Sequence, residues 1–262
     1  MPTNPESPML SALSILALVA AAAGAPARPV LLRLRGGAIE QPKTGKVWVT
    51  STFTRDHVRF AAELPSYLGA YANPFTSIEP KTIEAIMLTI NSINTCPYCT
   101  GLHGQLARMA GVDKPDPKLP AVSYATTFAK EGGRGAAVRA AFDKLVASEG
   151  AGRAKNMRAL CWFLLWGKTT GNSINSVRSK LVSLQLWKLT PFEVIMFVFY
   201  GPLFLVIGIL NAILTLAPTV PAWFSATTGV VLWFPQMLFV LPAGIISLVL
   251  RILAAPFGGL DL

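Results

Sequence analysis

Charge is scarce in this chain. Asp, Glu, Lys and Arg make up only 14% of its 262 residues while 52% are hydrophobic, against roughly 25% charged residues in an ordinary soluble domain. A wholly aqueous surface is therefore excluded, and the apolar excess lies at the two ends of the sequence. Acidic residues are the rarer sign, 13 against 23 basic, and none occurs between Glu6 and Glu40. The net charge of +10 does not point to nucleic acid, because Lys and Arg are scattered and no nucleic-acid motif or aromatic-basic stretch accompanies them. Cysteine is also scarce, and three residues cannot build a disulfide framework. No Rossmann glycine fingerprint or other cofactor signature is present, so no cofactor is expected and electrons for any redox chemistry must come from a partner.

The N-terminal 42 residues read as a targeting presequence. An apolar run from Met9 to Ala25 ends in the small-residue sites Ala23-Gly24-Ala25 and Ala25-Pro26-Ala27, which is signal-peptide grammar. The acid-poor stretch that follows, with Arg28, Arg33 and Arg35, is transit-like. Together they resemble the bipartite presequences that carry proteins across several membranes into plastids, with a secretory-pathway membrane as the alternative destination. At the other end, Phe192–Pro218 and Ala222–Leu250 are almost continuously apolar, with Glu193 and Asn211 as the polar residues of the first run and no charge in the second. Each is long enough to cross a hydrocarbon core of about 30 Å. Pro218, Thr219 and Pro221 mark a turn between them, so residues 189–262 are expected to form a hairpin of two transmembrane helices. Arg178, Lys180, Lys188 and Arg251 flank its open end and place the main domain on the cytosol-like side.

Between residues 43 and 188 the pattern is helical. Helices are predicted at Ala61–Ala70, Pro80–Asn91, Pro97–Ala110, Pro120–Lys130, Ala136–Ser148 and Ala154–Gly167, punctuated by Pro and Gly. The fold class is therefore all-α. Ile83, Ile86, Met87 and Ile90 follow the i, i+3, i+4, i+7 rhythm of one amphipathic helix, and Glu84 stands on the flank of that stripe, half-buried or on the surface.

The visible chemistry is concentrated in Thr95-Cys96-Pro97-Tyr98-Cys99-Thr100-Gly101-Leu102-His103. On a helix, positions 96, 99 and 103 fall within roughly 60° of one another. Pro97 suits a first helical turn, which puts Cys96 at the cap and Cys99 among the free amide hydrogens that stabilise a thiolate. His103, one turn on, makes a nucleophile and base pair with Cys99, and Cys96 stands ready to resolve a sulfenic acid as a disulfide. A zinc site and a buried cluster without chemistry are the other readings of these residues, but zinc needs four ligands and only His57 and Cys161 remain elsewhere. Haem attachment is excluded because Thr100, not His, follows the second Cys. Cys161 reads as a small buried apolar residue.

Glu84, eleven residues, Cys96-x-x-Cys99, three residues and His103, followed by a short run to Gly111, is similar to the alkyl hydroperoxidase D-like proteins of the carboxymuconolactone decarboxylase superfamily. The resemblance implies an all-helical domain over 43–188, assembly into homo-oligomers of three or more copies, and thiol peroxidase activity on hydrogen peroxide or organic hydroperoxides. It implies Cys99 as the peroxidatic nucleophile, Cys96 as the resolving thiol, and Glu84 with His103 as the proton relay. Some members carry a further relay His directly before the second Cys, where this chain has Tyr98. The reductant implied is a thioredoxin-like or lipoyl dithiol protein. The function expected is thus a membrane-anchored peroxidase or disulfide oxidoreductase, the alternatives being a non-enzymatic subunit or assembly factor of a membrane complex and a redox sensor.

Overall fold

Proline sets where these helices begin. Its fixed φ suits a first helical turn, where its missing N–H costs nothing, and Pro80, Pro97, Pro120 and Pro191 each open a helix. A computed structural model describes residues 50–94, 96–216 and 222–254 of the protein, which form eight α-helices and no strand. They are α1 (Thr50–Ala72), α2 (Pro80–Ile93), α3 (Pro97–Met109), α4 (Pro120–Lys130), α5 (Ala136–Glu149), α6 (Ala151–Val182), α7 (Pro191–Leu216) and α8 (Ala222–Ala254). The presequence at 1–42 and the turn at 218–221 lie outside the described residues.

The long α6 is the axis. On α1, Phe60 and Tyr67 lie one helical face apart and interlock with it: Phe60 stacks on Trp166 at 5.1 Å and Tyr67 meets Phe163 at 4.8 Å between ring centroids. The stripe of α2 faces inward as its rhythm demands, Ile83, Ile86, Met87 and Ile90 being fully buried. Helix α6 extends from Ala151 to Val182, well past the predicted end at Gly167. The extension runs through Thr170, Asn172, Ser173 and Asn175, weak helix formers whose side chains compete for the backbone. Here Thr170 and Ser173 instead donate to carbonyls four residues back, and burial of Ile174 and Val177 holds the turns in place.

Helix α7 starts in a capping box. Glu193 N–H donates to Thr190 Oγ1 at 3.2 Å and Thr190 N–H to Glu193 Oε2 at 2.9 Å, and Lys180 Nζ neutralises the carboxylate at 2.6 Å. Segments Pro191–Leu214 and Thr227–Leu250, 24 residues each, are long and apolar enough to cross a membrane. Outer-face residues such as Val198, Val206, Phe234, Leu238 and Ile245 are exposed. The two helices run antiparallel, Phe224 packing on the cluster that holds Leu214 and Phe199 meeting Phe239 edge-on at 5.1 Å further along.

Their inner faces do not stand clear of the rest. Phe192, Met196, Tyr200, Phe204 and Val240 belong to the same apolar cluster as the centre of α6. Helix α8 lies antiparallel along the length of α1: Thr54 donates to Ser247 at 3.0 Å, Trp233 to the Leu64 carbonyl at 3.0 Å, and Gly229 lies against the Tyr71 ring. A Cβ at Gly229 would collide with that ring. Replacing Gly229 by Leu should therefore lower the melting temperature in detergent, the overpacking costing about 1–3 kcal/mol. Gly104→Ala, where a Cβ meets nothing within 4 Å, should leave it unchanged or raise it by up to about 1 kcal/mol of helix propensity. Equal melting of the two variants would contradict the α1–α8 packing.

Candidate active site

The N-terminus of α3 carries the thiols. Cys96, in extended conformation at φ −139°, is the N-cap, and its sulfur accepts the Cys99 N–H at 3.3 Å. Cys96 and Cys99 are joined as a disulfide with their Cα atoms 5.3 Å apart. Cys96 is buried and Cys99 half-buried, so the second sulfur is the more accessible. In the reduced form both thiols sit where free amide hydrogens and the helix dipole favour the thiolate.

Glu84 and His103 meet behind them. Helix α2 presents Glu84, α3 presents His103, and Nδ1 of the imidazole lies 3.0 Å from Glu84 Oε2. Both side chains are buried, at 1% and 5% exposure. The flank position of Glu84 leaves half-burial or exposure open from sequence; packing of α3 over α2 closes it off completely. A buried carboxylate is retained only with a partner, and this one fixes the ring orientation and leaves Nε2 as the nitrogen that can exchange a proton. The His103 ring also meets Phe163 of α6 edge-on at 6.4 Å. Next to the pair, burial, assisted by the Glu84 charge, holds the Tyr71 phenol well above its ordinary pKa, which keeps it a neutral donor.

Tyr98, the residue directly before Cys99, is turned toward α7. Its ring packs on Phe204 at 5.2 Å, burial pushes its phenol up, and its hydroxyl meets no hydrogen-bond partner among the described residues. It is therefore a packing residue between α3 and α7.

Two glycines let α6 reach the disulfide. A Cβ at Gly167 would lie 3.8 Å from Cys99 Sγ, an ordinary contact, whereas one at Gly171 would lie 2.8 Å from Cys96 Sγ and 3.1 Å from the Phe204 ring. Spaced four apart, they form one small-residue stripe on α6. Sequence reasoning passes over them, because a glycine inside a predicted helix reads only as a weak spot; the i, i+4 spacing is the available signal.

His57 and Cys161, the two other candidate ligands by residue type, lie elsewhere. Cys161 is wholly buried on α6, where burial pushes its thiol far up and keeps it inert. His57 is buried between α1, α6 and α7. Its Nε2 accepts the indole N–H of Trp166 at 3.1 Å and lies 2.6 Å from the Tyr200 hydroxyl. An indole only donates, so Nε2 is an acceptor and the imidazole is neutral. This polar knot is not legible in the sequence, since Trp166 and Tyr200 carry no chemical signature at their positions.

Gly171→Ala should destabilise the oxidised protein by about 1–3 kcal/mol through the Cys96 clash, while Gly167→Ala should cost less than about 0.5 kcal/mol. Denaturant unfolding in detergent reads both; the reverse order would contradict the contact of α6 with the disulfide.

No curated protein and no solved structure matches this chain. Residues 63–143, from the second half of α1 into α5, match the Carboxymuconolactone decarboxylase family. Glu84, Cys96, Cys99 and His103 all fall inside the matched segment, so the disulfide and its buried Glu–His pair lie in the part of the chain that is similar to that family.

Proposed function

We propose that the chain is a thiol-dependent peroxidase, held at a membrane by α7 and α8, that reduces hydrogen peroxide or organic hydroperoxides. The observation that carries this reading is the Cys96–Cys99 disulfide at a helix N-terminus, one turn before a His103 paired with buried Glu84. A peroxide-reducing cycle needs these parts and ends in that oxidised state.

In the cycle the Cys99 thiolate attacks the terminal peroxide oxygen. The O–O bond breaks, a sulfenic acid forms on Cys99, and the departing alkoxide takes a proton from His103, whose charge Glu84 stabilises. His103, now deprotonated, takes the Cys96 proton, the Cys96 thiolate attacks the Cys99 sulfur and closes the disulfide, and the expelled hydroxide takes that proton back from His103 and leaves as water. A dithiol protein of the thioredoxin-like or lipoyl class returns two electrons and two protons and is itself oxidised to a disulfide. Anchoring raises the local concentration of peroxides that form in lipid. The reading in which the disulfide is a sensor has one observation in its favour, the packing of Tyr98, next to Cys99, on Phe204 of α7, which sets the thiols beside the α3–α7 seam.

Peroxide consumption by the detergent-solubilised chain with excess dithiol tests the assignment. Cys99→Ser should abolish turnover, and Cys96→Ser, given peroxide with no dithiol present, should consume about one equivalent and stop as a sulfenic acid detectable by mass. Glu84→Gln and His103→Gln should each slow the chemical step by about 10²–10⁴, the range for a general acid or base. Full activity in Cys99→Ser would overturn the nucleophile. Peroxide oxidation of the pair with negligible recycling would replace the enzyme reading with the sensor.

A further inference from the structure

On the face of α6 away from the disulfide, a cleft of about 750 Å³ opens between α1, α4, α5 and α6. Its floor is aromatic, built by Tyr124, Phe128, Phe142 and Trp162, and its walls carry five arginines against the carboxylates of Glu63 and Asp143. Arg158 is engaged by Glu63 at 2.8 Å and Arg55 by Asp56 at 2.6 Å. Arg59, Arg134 and Arg139 are exposed and make no hydrogen bond or ion pair with another described residue, so the cleft has an excess of positive charge that Asp143 alone does not balance.

Two polar atoms at this cleft are orphaned. The Tyr124 hydroxyl and Arg158 Nε are buried without a hydrogen-bond partner among the described residues, although Tyr124 is only 2% exposed and each such group costs free energy when left unsatisfied. The Arg158 guanidinium lies 4.9 Å over the Phe142 ring, a polar head held on an apolar surface. The turn that brings Arg134 to the rim is Gly132-Gly133-Arg134-Gly135. All three glycines have positive φ, at 61°, 76° and 99°. Gly133 lies so close over the floor that a Cβ there would be 2.8 Å from both Phe128 and Trp162. A loop free to be anything else would not need this sequence.

We propose that this cleft binds an organic anion: a carboxylate or phosphate group seated among Arg134, Arg139 and Arg158, with an aromatic or other apolar body on the ring floor. The volume falls in the range of small-molecule sites, and guanidinium forks match the two oxygens of such a head group. The Tyr124 hydroxyl supplies a neutral donor. The site is independent of the thiol chemistry and would stand if the peroxidase reading failed.

The probe is 4-(trifluoromethyl)benzoate, followed by fluorine NMR with the full chain in an uncharged detergent. Saturable binding that the neutral 4-(trifluoromethyl)benzamide does not reproduce, and that weakens by about tenfold or more in the Arg134→Gln/Arg139→Gln variant, is the expected result. Both side chains are exposed and pair with no other described residue, so the variant should melt like the parent. Tyr124→Phe, which removes only the orphan hydroxyl, should weaken binding severalfold. Equal binding of acid and amide, or no loss in the double variant, would overturn the proposal. Two competition arms separate the sources of the anion: displacement of the probe by phosphatidylglycerol nanodiscs but not phosphatidylcholine ones identifies a lipid head group, whereas displacement by inorganic phosphate alone identifies a soluble ligand. Displacement by neither would overturn the anion class.

Discussion

The architecture depends on how closely the backbone of α6 can approach its neighbours. At Gly171 it comes near enough to Cys96 and Phe204 that a single methyl group would meet both. From that contact the rest follows by helical geometry. Residues spaced four apart lie in one row along a helix, and α6 uses two such rows. Phe163, Gly167 and Gly171 run toward His103 and the thiols; Arg158, Trp162, Trp166 and Thr170 form the other, which lines the basic cleft at Arg158 and Trp162 and turns inward at Trp166, where it holds His57 and Phe60. One helix thus separates a redox centre from a charged cleft and puts aromatic rings between them.

Much of this is legible in the order of the residues. Four proline-opened helices begin where their prolines stand, and the α2 stripe buries the residues its rhythm selects, because both signals are local and backbone-encoded. The four residues of the redox segment are identifiable because three of them sit on one short helix and its cap and the fourth lies on the preceding helix. The illegible parts depend on long-range packing. Glu84 looks marginal on its own helix and is buried by neighbours distant in sequence, His103 of α3 and Tyr71 of α1. The end of α6, from Lys168 to Val182, has poor propensity and a sparse apolar period of Ile174, Val177 and Leu181, and it is held helical by packing against α7. The arginines of the cleft are spread over α1, α5, α6 and the loop before α5, so basic residues whose scatter along the chain argues against a patch converge in three dimensions.

The relation of the apolar pair to the domain bears most directly on function. A stalk would need its two helices to bury their inner faces against each other, and such a stalk could be cut off without disturbing the head. Here α8 covers α1 and α7 covers α3 and α6, so the apolar cluster of the head passes into both helices without a break. Only their outer faces, rich in Val, Ile, Leu and Phe, are left exposed. Phe204, the contact of Tyr98 and the neighbour of Cys96, stands near the middle of α7 and not at its end. On the membrane reading this places the thiols beside the apolar segment, where a peroxide borne on an acyl chain is nearer than one in water. It also assigns a use to the charged start of α7. The Glu193 carboxylate is satisfied by Thr190 and neutralised by Lys180, so the helix can begin at a polar boundary and run apolar from there without leaving an unpaired charge in lipid.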